Sequence, residues 1–296
     1  MAELSLSSVP AASLGLRWTL ATPFRSGLLS HGKVRIALLL LVPILLLTVF
    51  APILPIQKPL ETNLRAMMEL PSVQHPFGTD KMGRDILSRT LAGVQISMLV
   101  GASVAAIALV SGMVLGTLAG FYGGKVDRVI MTIVDIFLAF PSLLLAIGLV
   151  SVMGTGLIPV ILAISLADVP RFIRLQRSQV LSLRSRAFID AARTVDASQF
   201  WLMSRHIVPN TLAPMLVAAS IAAANAILIE ASLSFLGLGI MPPSPSLGNI
   251  VRDGQMYLEQ AWWISTLPGV VILLITIGLH FLSDGVRELL DPRARR

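Results

Sequence analysis

The feature that most constrains this chain is the length of its apolar runs. A helix crossing a bilayer needs roughly 20 apolar residues. Six runs reach or approach that length, at 36–56, 94–120, 129–153, 157–173, 211–238 and 262–282. The runs are continuous and show no in–out alternation, which excludes a transmembrane β-barrel. The expected fold is therefore all-α, a polytopic membrane protein with about six transmembrane helices. Composition agrees: 55% of the residues are hydrophobic, 13% are charged, and the mean hydropathy is +0.81. Soluble domains carry about 25% charged residues. A soluble α/β enzyme, a disordered chain and a disulfide-stapled secreted module are all excluded. Cysteine is absent, and the four histidines, at 31, 75, 206 and 280, show no metal-ligand spacing. The sequence offers neither thiol chemistry nor a His-based metal centre.

The runs divide the chain into a tail at 1–35, a first span with a polar loop at 36–92, a core at 93–284 and a short basic tail at 285–296. The first strongly apolar run starts after Arg35 and no small-residue cleavage site follows it, unlike a signal peptide. Alternating the loops across the membrane leaves 17 Lys/Arg on one side and 6 on the other. The richer side is expected to be cytoplasmic, with both termini inside. The +7 formal charge is then a topology signal and no nucleic-acid partner is implied. Within the second run Gly112, Gly116 and Gly120 recur every four residues, a spacing that lets helices approach closely in lipid. Pro141 sits inside the third run, where it can kink a helix.

The most informative loop is at 174–210, on the expected cytoplasmic side. Ala187–Val195 and Gln199–Ile207 read as two short helices meeting at a bend, with Asp196 or Ser198 able to cap the second. Phe200, Met203 and Ile207 form an apolar stripe outside any bilayer, and Pro209 ends the element. Such a pair suits a lipid surface or a groove on another protein.

This loop resembles the EAA motif of binding-protein-dependent ABC importer permeases. Asp190-Ala191-Ala192 stands at the E-A-A position and Ile207-Val208-Pro209 at the far end. Asp190 keeps the acidic charge. Asp196 stands where the family has a glycine, at a turn needing a left-handed backbone that Asp tolerates better than most residues. Three more stretches resemble the dipeptide/oligopeptide/nickel class of these permeases. They are Gly78-Thr79-Asp80 with Gly83-Arg84-Asp85, Glu230–Gly239 with its following prolines, and Leu289–Arg293. The likeness covers about residues 75–293 and implies a type I ABC importer permease of C-type dipeptide-permease kind. It further implies a bacterial inner-membrane location, a second homologous permease subunit, two ATP-binding subunits docked through the 187–209 loop, and an extracytoplasmic solute-binding protein. ATP and Mg would sit on the partner ATPases, with no cofactor or metal bound by this chain. The residues agree: the string Gly120–Lys125 is one residue short of a P-loop and lacks the following Ser/Thr.

Acids inside spans must face protein or water. Glu230 lies in the region a translocation path would occupy, open between lining that path and a structural hydrogen bond. Asn225 is a second candidate for the path. Asp135 and Asp168 read as structural or interfacial. For the Gly78–Asp85 loop the immediate expectation is a self-bonded turn, with Asp80 or Asp85 pairing Arg84 or Arg89. Two other classes stand against the importer reading. A lone secondary transporter would show internal repeats, and none is convincing. An intramembrane enzyme needs convergent catalytic groups, and none is present.

Overall fold

The computed structural model describes residues 31–54, 56–194 and 196–290. Most of the 1–35 tail, and the last residues of the closing motif at 291–293, lie outside that set. Ten helices are described: α1 Gly32–Phe50, α2 Ile86–Tyr122, α3 Gly124–Leu138, α4 Ser142–Met153, α5 Leu157–Arg184, α6 Ala187–Thr194, α7 Gln199–Leu202, α8 Val208–Phe235, α9 Leu247–Gln255 and α10 Trp263–Leu290. No strand occurs among the described residues. Four helices are long and apolar enough to cross a bilayer, five if α3 and α4 count as one bent span. α5 is long enough as well, but Asp168, Arg171 and Arg174 fall within its first 18 residues.

The expected third span, 129–153, is not one straight helix. α3 and α4 meet at 91°. The break falls at Ala139–Pro141, where proline supplies no N–H and disfavours a helical residue before it. The expected loops also shorten. α5 continues eleven residues beyond the anticipated end at 173, and the Pro/Gly-rich stretch at 239–261 contains α9.

α2, α5 and α8 form the centre. The glycine series on α2 faces a matching series on α5. A Cβ at Gly112 would meet Phe172 Cβ at 2.4 Å, at Gly116 Gln176 Cβ at 2.6 Å, and at Gly120 Val180 Cβ at 2.8 Å. Each pair advances four residues along both helices, so three successive turns of backbone are in near contact. Gln176 crosses this seam, its Nε2 donating to Thr117 Oγ1 at 2.8 Å and to Thr211 Oγ1 at 2.9 Å. One buried amide thereby pins all three central helices. Nearer the opposite end Val100, Val104, Ala146, Ile164, Ala226 and Leu233 fill the space between α2, α4, α5 and α8. α1 lies outside this centre against α10, again over glycines. Gly278 sits under Leu41 and Gly285 under Val34.

Candidate functional site

The helix pair at 187–207 is built from the inside. Ile189, Leu202, Met203 and Ile207 bury themselves against Phe121 at the end of α2 and Val180 on α5, with Ala192 and Ala197 packed alongside. The bend is made by Asp196 at φ +54°, the left-handed backbone of the glycine position it occupies. Ser198 caps α7 by accepting from Trp201 N. The residues Met203–Ile207 form a π-turn, Val208 N–H reaching back to Met203 O. Pro209 is the cause: it cannot donate to the carbonyl four residues back and its ring crowds it, so the turn widens.

This packing sorts the expected coupling residues into two sets. Asp190, Ala191, Asp196 and Pro209 are exposed, whereas Ala192 is half-buried and Ile207 fully buried. The Phe200–Met203–Ile207 stripe does not act as one face. Met203 and Ile207 turn inward while Phe200 remains 76% exposed. Phe188 and Trp201 are exposed as well. Trp201 meets His206 edge-on with ring centroids 4.6 Å apart. Trp201 was not anticipated; the available signal was a third aromatic within a short polar loop. Beside the pair lies a polar cleft of about 460 Å³ between the end of α2, Arg184, Asp196 and Gln199.

At the other end of the molecule, residues 78–85 form a closed lock. Gly78 and Gly83 hold φ +72° and +68°, and a Cβ on either would strike backbone, at Glu69 O and Asn63 O respectively. Thr79 Oγ1 donates to Ala66 O and accepts from Glu69 N, while Thr79 O accepts from Trp263 Nε1 of α10. Asp80 is buried, accepting from Met82 N, Arg84 N, Arg84 Nε and Arg89 Nη1. Both arginines also lie 3.8 Å from Asp253 on α9. Asp85 caps α2 through Ser88 N and accepts from His75 Nδ1 at 3.0 Å. The motif thus ties the 57–85 loop to α9 and α10, with Asp80 serving both Arg84 and Arg89.

The two path candidates separate. Glu230 is 0% exposed. Its Oε2 accepts from Ser97 Oγ on α2 at 2.9 Å and its Oε1 from Ser234 Oγ at 2.8 Å. Ser234 Oγ in turn accepts from Ile240 N. Glu230 therefore joins α2 to the end of α8, with its carboxylate enclosed by the two serines. Asn225 is half-buried and shares a helical face with Ile221, Leu228 and Ser232. That face opens into hollows at both ends: one of about 420 Å³ with Pro214, Val217, Ile221 and Arg287, the other about 350 Å³ with Leu228, Ser232, Gly269 and Ile272. Three acids on α3 and α5 are paired with arginines. Asp168 lies 3.3 Å from Arg171, Asp135 2.5 Å from Arg174 and Asp127 2.5 Å from Arg177. Among the described residues no group of His, Asp or Glu could hold a metal ion.

A helical membrane protein with a structured helix pair outside its spans defines the class, and the comparisons narrow it. Residues 112–296 match the family described as binding-protein-dependent transport system inner membrane component. The dipeptide transport system permease protein DppC of Alkalihalophilus pseudofirmus is 39% identical over 282 residues, covering 94% of this chain and 93% of its own. The oligopeptide transport system permease protein OppC of Bacillus subtilis is 37% identical over 267 residues, covering 90% and 88%. Among solved structures, the inward-facing MetNI methionine ABC transporter matches with TM-score 0.57 at 19% identity, over 67% of this chain and 95% of that one. That likeness speaks to the fold. The chain belongs to the binding-protein-dependent transport permease family.

Proposed function

We propose that this chain is the transmembrane permease subunit of an ATP-driven, binding-protein-dependent importer for di- or oligopeptides or a related small solute. Names of the relatives support the solute class, since the two described above are named for dipeptide and oligopeptide transport. The chain would cross the bacterial inner membrane six times, α4 with its flanking turns making the third crossing and α5 the fourth, with both termini and the 187–209 loop in the cytoplasm. It would pair with a second homologous permease, take two ATPase subunits on the cytoplasmic side and receive solute from an extracytoplasmic binding protein.

The observation that carries the reading is the exposed aromatic face of the helix pair. Phe188, Phe200 and Trp201 project from a scaffold whose inner face is anchored on α2 and α5. An apolar surface held rigidly outside the bilayer is suited to a groove on another protein. Because Phe121 and Val180 belong to central helices, a push on the pair is delivered to the seam at Gly112, Gly116 and Gly120. The hollowed face of α8 around Asn225 is where the second permease would complete the path, and the Asp80 lock would hold the extracytoplasmic loop rigid beside it.

The test is co-purification of the ATPase subunits with the tagged permease. Ala191 is exposed, so Ala191→Arg adds bulk and charge to the outer face without entering the loop's own core. The ATPases should be lost from the complex while membrane insertion is unchanged. Full retention of ATPase with normal uptake would overturn the docking assignment.

A further inference from the structure

α3 buries Val134 against the protein and is tied to it by two ion pairs. Asp127 and Asp135 pair with Arg177 and Arg174 of α5. The other side carries Val126, Val129, Ile133 and Ile136, continued by Tyr122 before the helix and Phe140 after it, all exposed. Within the helix, the spacing of Val126, Val129, Ile133 and Ile136 by three and four makes one straight stripe. Lys125 and Arg128 lie along one edge of that stripe, exposed and in no ion pair among the described residues. Nothing else in the described chain covers it.

Two measures place this helix in depth and direction. Arg174 and Arg177 are 17 and 20 residues beyond Leu157, about 26 and 30 Å along α5. With the Gly154–Gly156 turn set at the outer edge of a hydrocarbon core about 30 Å thick, α3 is held where acyl chains give way to headgroups on the other side. α3 also turns 91° away from α4, which itself runs beside α5 with Ala146 and Val150 packed on Val160 and Ile164. A helix perpendicular to a crossing helix lies in the membrane plane.

We propose that α3 is an interfacial helix lying in the cytoplasmic leaflet, its stripe among acyl chains and Lys125 and Arg128 on the phosphates of anionic lipids. The chemistry is complementary on both counts: an apolar face meets hydrocarbon, and basic residues at its edge extend to negative headgroups. In-plane anchoring of α3 through Asp127 and Asp135 ties the cytoplasmic ends of α2 and α5 to the bilayer surface beside the coupling pair. The leaflet assignment rests on the orientation proposed above; the in-plane geometry does not.

The chain has no cysteine, so a single introduced one is its only labelling site. Spin labels at Val126→Cys, Ile133→Cys and Phe140→Cys, in the assembled transporter reconstituted into phosphatidylcholine vesicles, span 14 residues, about 21 Å of helix. Depth is read from oxygen against nickel-chelate accessibility. The proposal expects all three labels to be oxygen-accessible with depths within about 10 Å of one another, half the helix length. A wider spread would mean that α3 crosses the membrane. Protection from both reagents would mean that a second permease or another protein covers the stripe. Either result overturns the proposal. Adding one-third phosphatidylglycerol should raise oxygen accessibility at Val126→Cys, and the Lys125→Gln/Arg128→Gln background should abolish that rise. An equal response in both backgrounds overturns the headgroup contact. A label at Ser185→Cys, bleached by an impermeant reductant from one side only, reports orientation separately, so either reading can fail without the other.

Discussion

Replacing Gly116 with alanine tests whether the glycine seam holds the centre of this permease together. The new Cβ would lie 2.6 Å from Gln176 Cβ and 2.7 Å from Ile173 O. Ordinary contacts between carbon atoms are about 3.5–4.0 Å, so α2 and α5 must part by about 1 Å at the middle of their contact. Gln176 Nε2 makes its bonds to Thr117 and Thr211 at 2.8 and 2.9 Å. A shift of that size takes at least one beyond the roughly 3.2 Å limit of a hydrogen bond. Overpacking costs about 1–3 kcal/mol, and a buried interhelical bond in a membrane protein adds about 0.6. Alanine's better helix propensity returns about 1 kcal/mol, so steric strain wins and the net loss is about 0.6–2.6 kcal/mol. Gly148 is the matched control, because nothing lies within 4 Å of a Cβ built there. Reversible unfolding of the two variants in mild detergent should show Gly116→Ala destabilised and Gly148→Ala at or above the parent. Equal stabilities would refute the claim that close backbone approach at Gly116 is required.

Four further outcomes follow from the same geometry. Trp201→Ala should weaken ATPase retention about fivefold or more, the usual cost of an interface aromatic exceeding 1 kcal/mol; binding equal to the parent in a titration with purified ATPase would remove Trp201 from the contact. Asp196→Gly relieves a left-handed residue at φ +54° and should leave uptake unchanged, so complete loss of transport would show that the carboxylate itself acts. Glu230→Gln keeps an acceptor for Ser97 or Ser234 and should retain near-parent uptake at a cost of about 1 kcal/mol; abolished uptake in a stably folded Glu230→Gln protein would return this residue to the path. Arg89→Met leaves Asp80 buried with Arg84 alone and should cost about 3–5 kcal/mol, read as lost folded yield, whereas unchanged yield would show that the lock is dispensable.

Local rules made much of the architecture readable. Apolar run length located the spans, because lipid forces every backbone polar group into a helix. Pro141 marked the break between α3 and α4. The bend at Asp196 was legible for a similar reason: few side chains accept a left-handed backbone, so residue type constrains conformation. The glycine spacing announced a close approach, although it named neither α5 nor the residues Phe172, Gln176 and Val180 that fill the groove.

What tertiary structure decided was which side of each element turns inward. Period alone gave Phe200, Met203 and Ile207 one common face. Phe121 and Val180, from distant stretches of chain, bury Met203 and Ile207 and leave Phe200 outside, and a π-turn interrupts the regular repeat on which the period relies. Glu230 and Asn225 sit five residues apart on one apolar helix and look equally placed to line a path. Ser97, 133 residues away in sequence, closes over Glu230, while Asn225 stays on the hollowed face of α8. Hydropathy is a property of single residues and could be read directly. Burial depends on which helix arrives alongside, and that is settled only when the chain has packed.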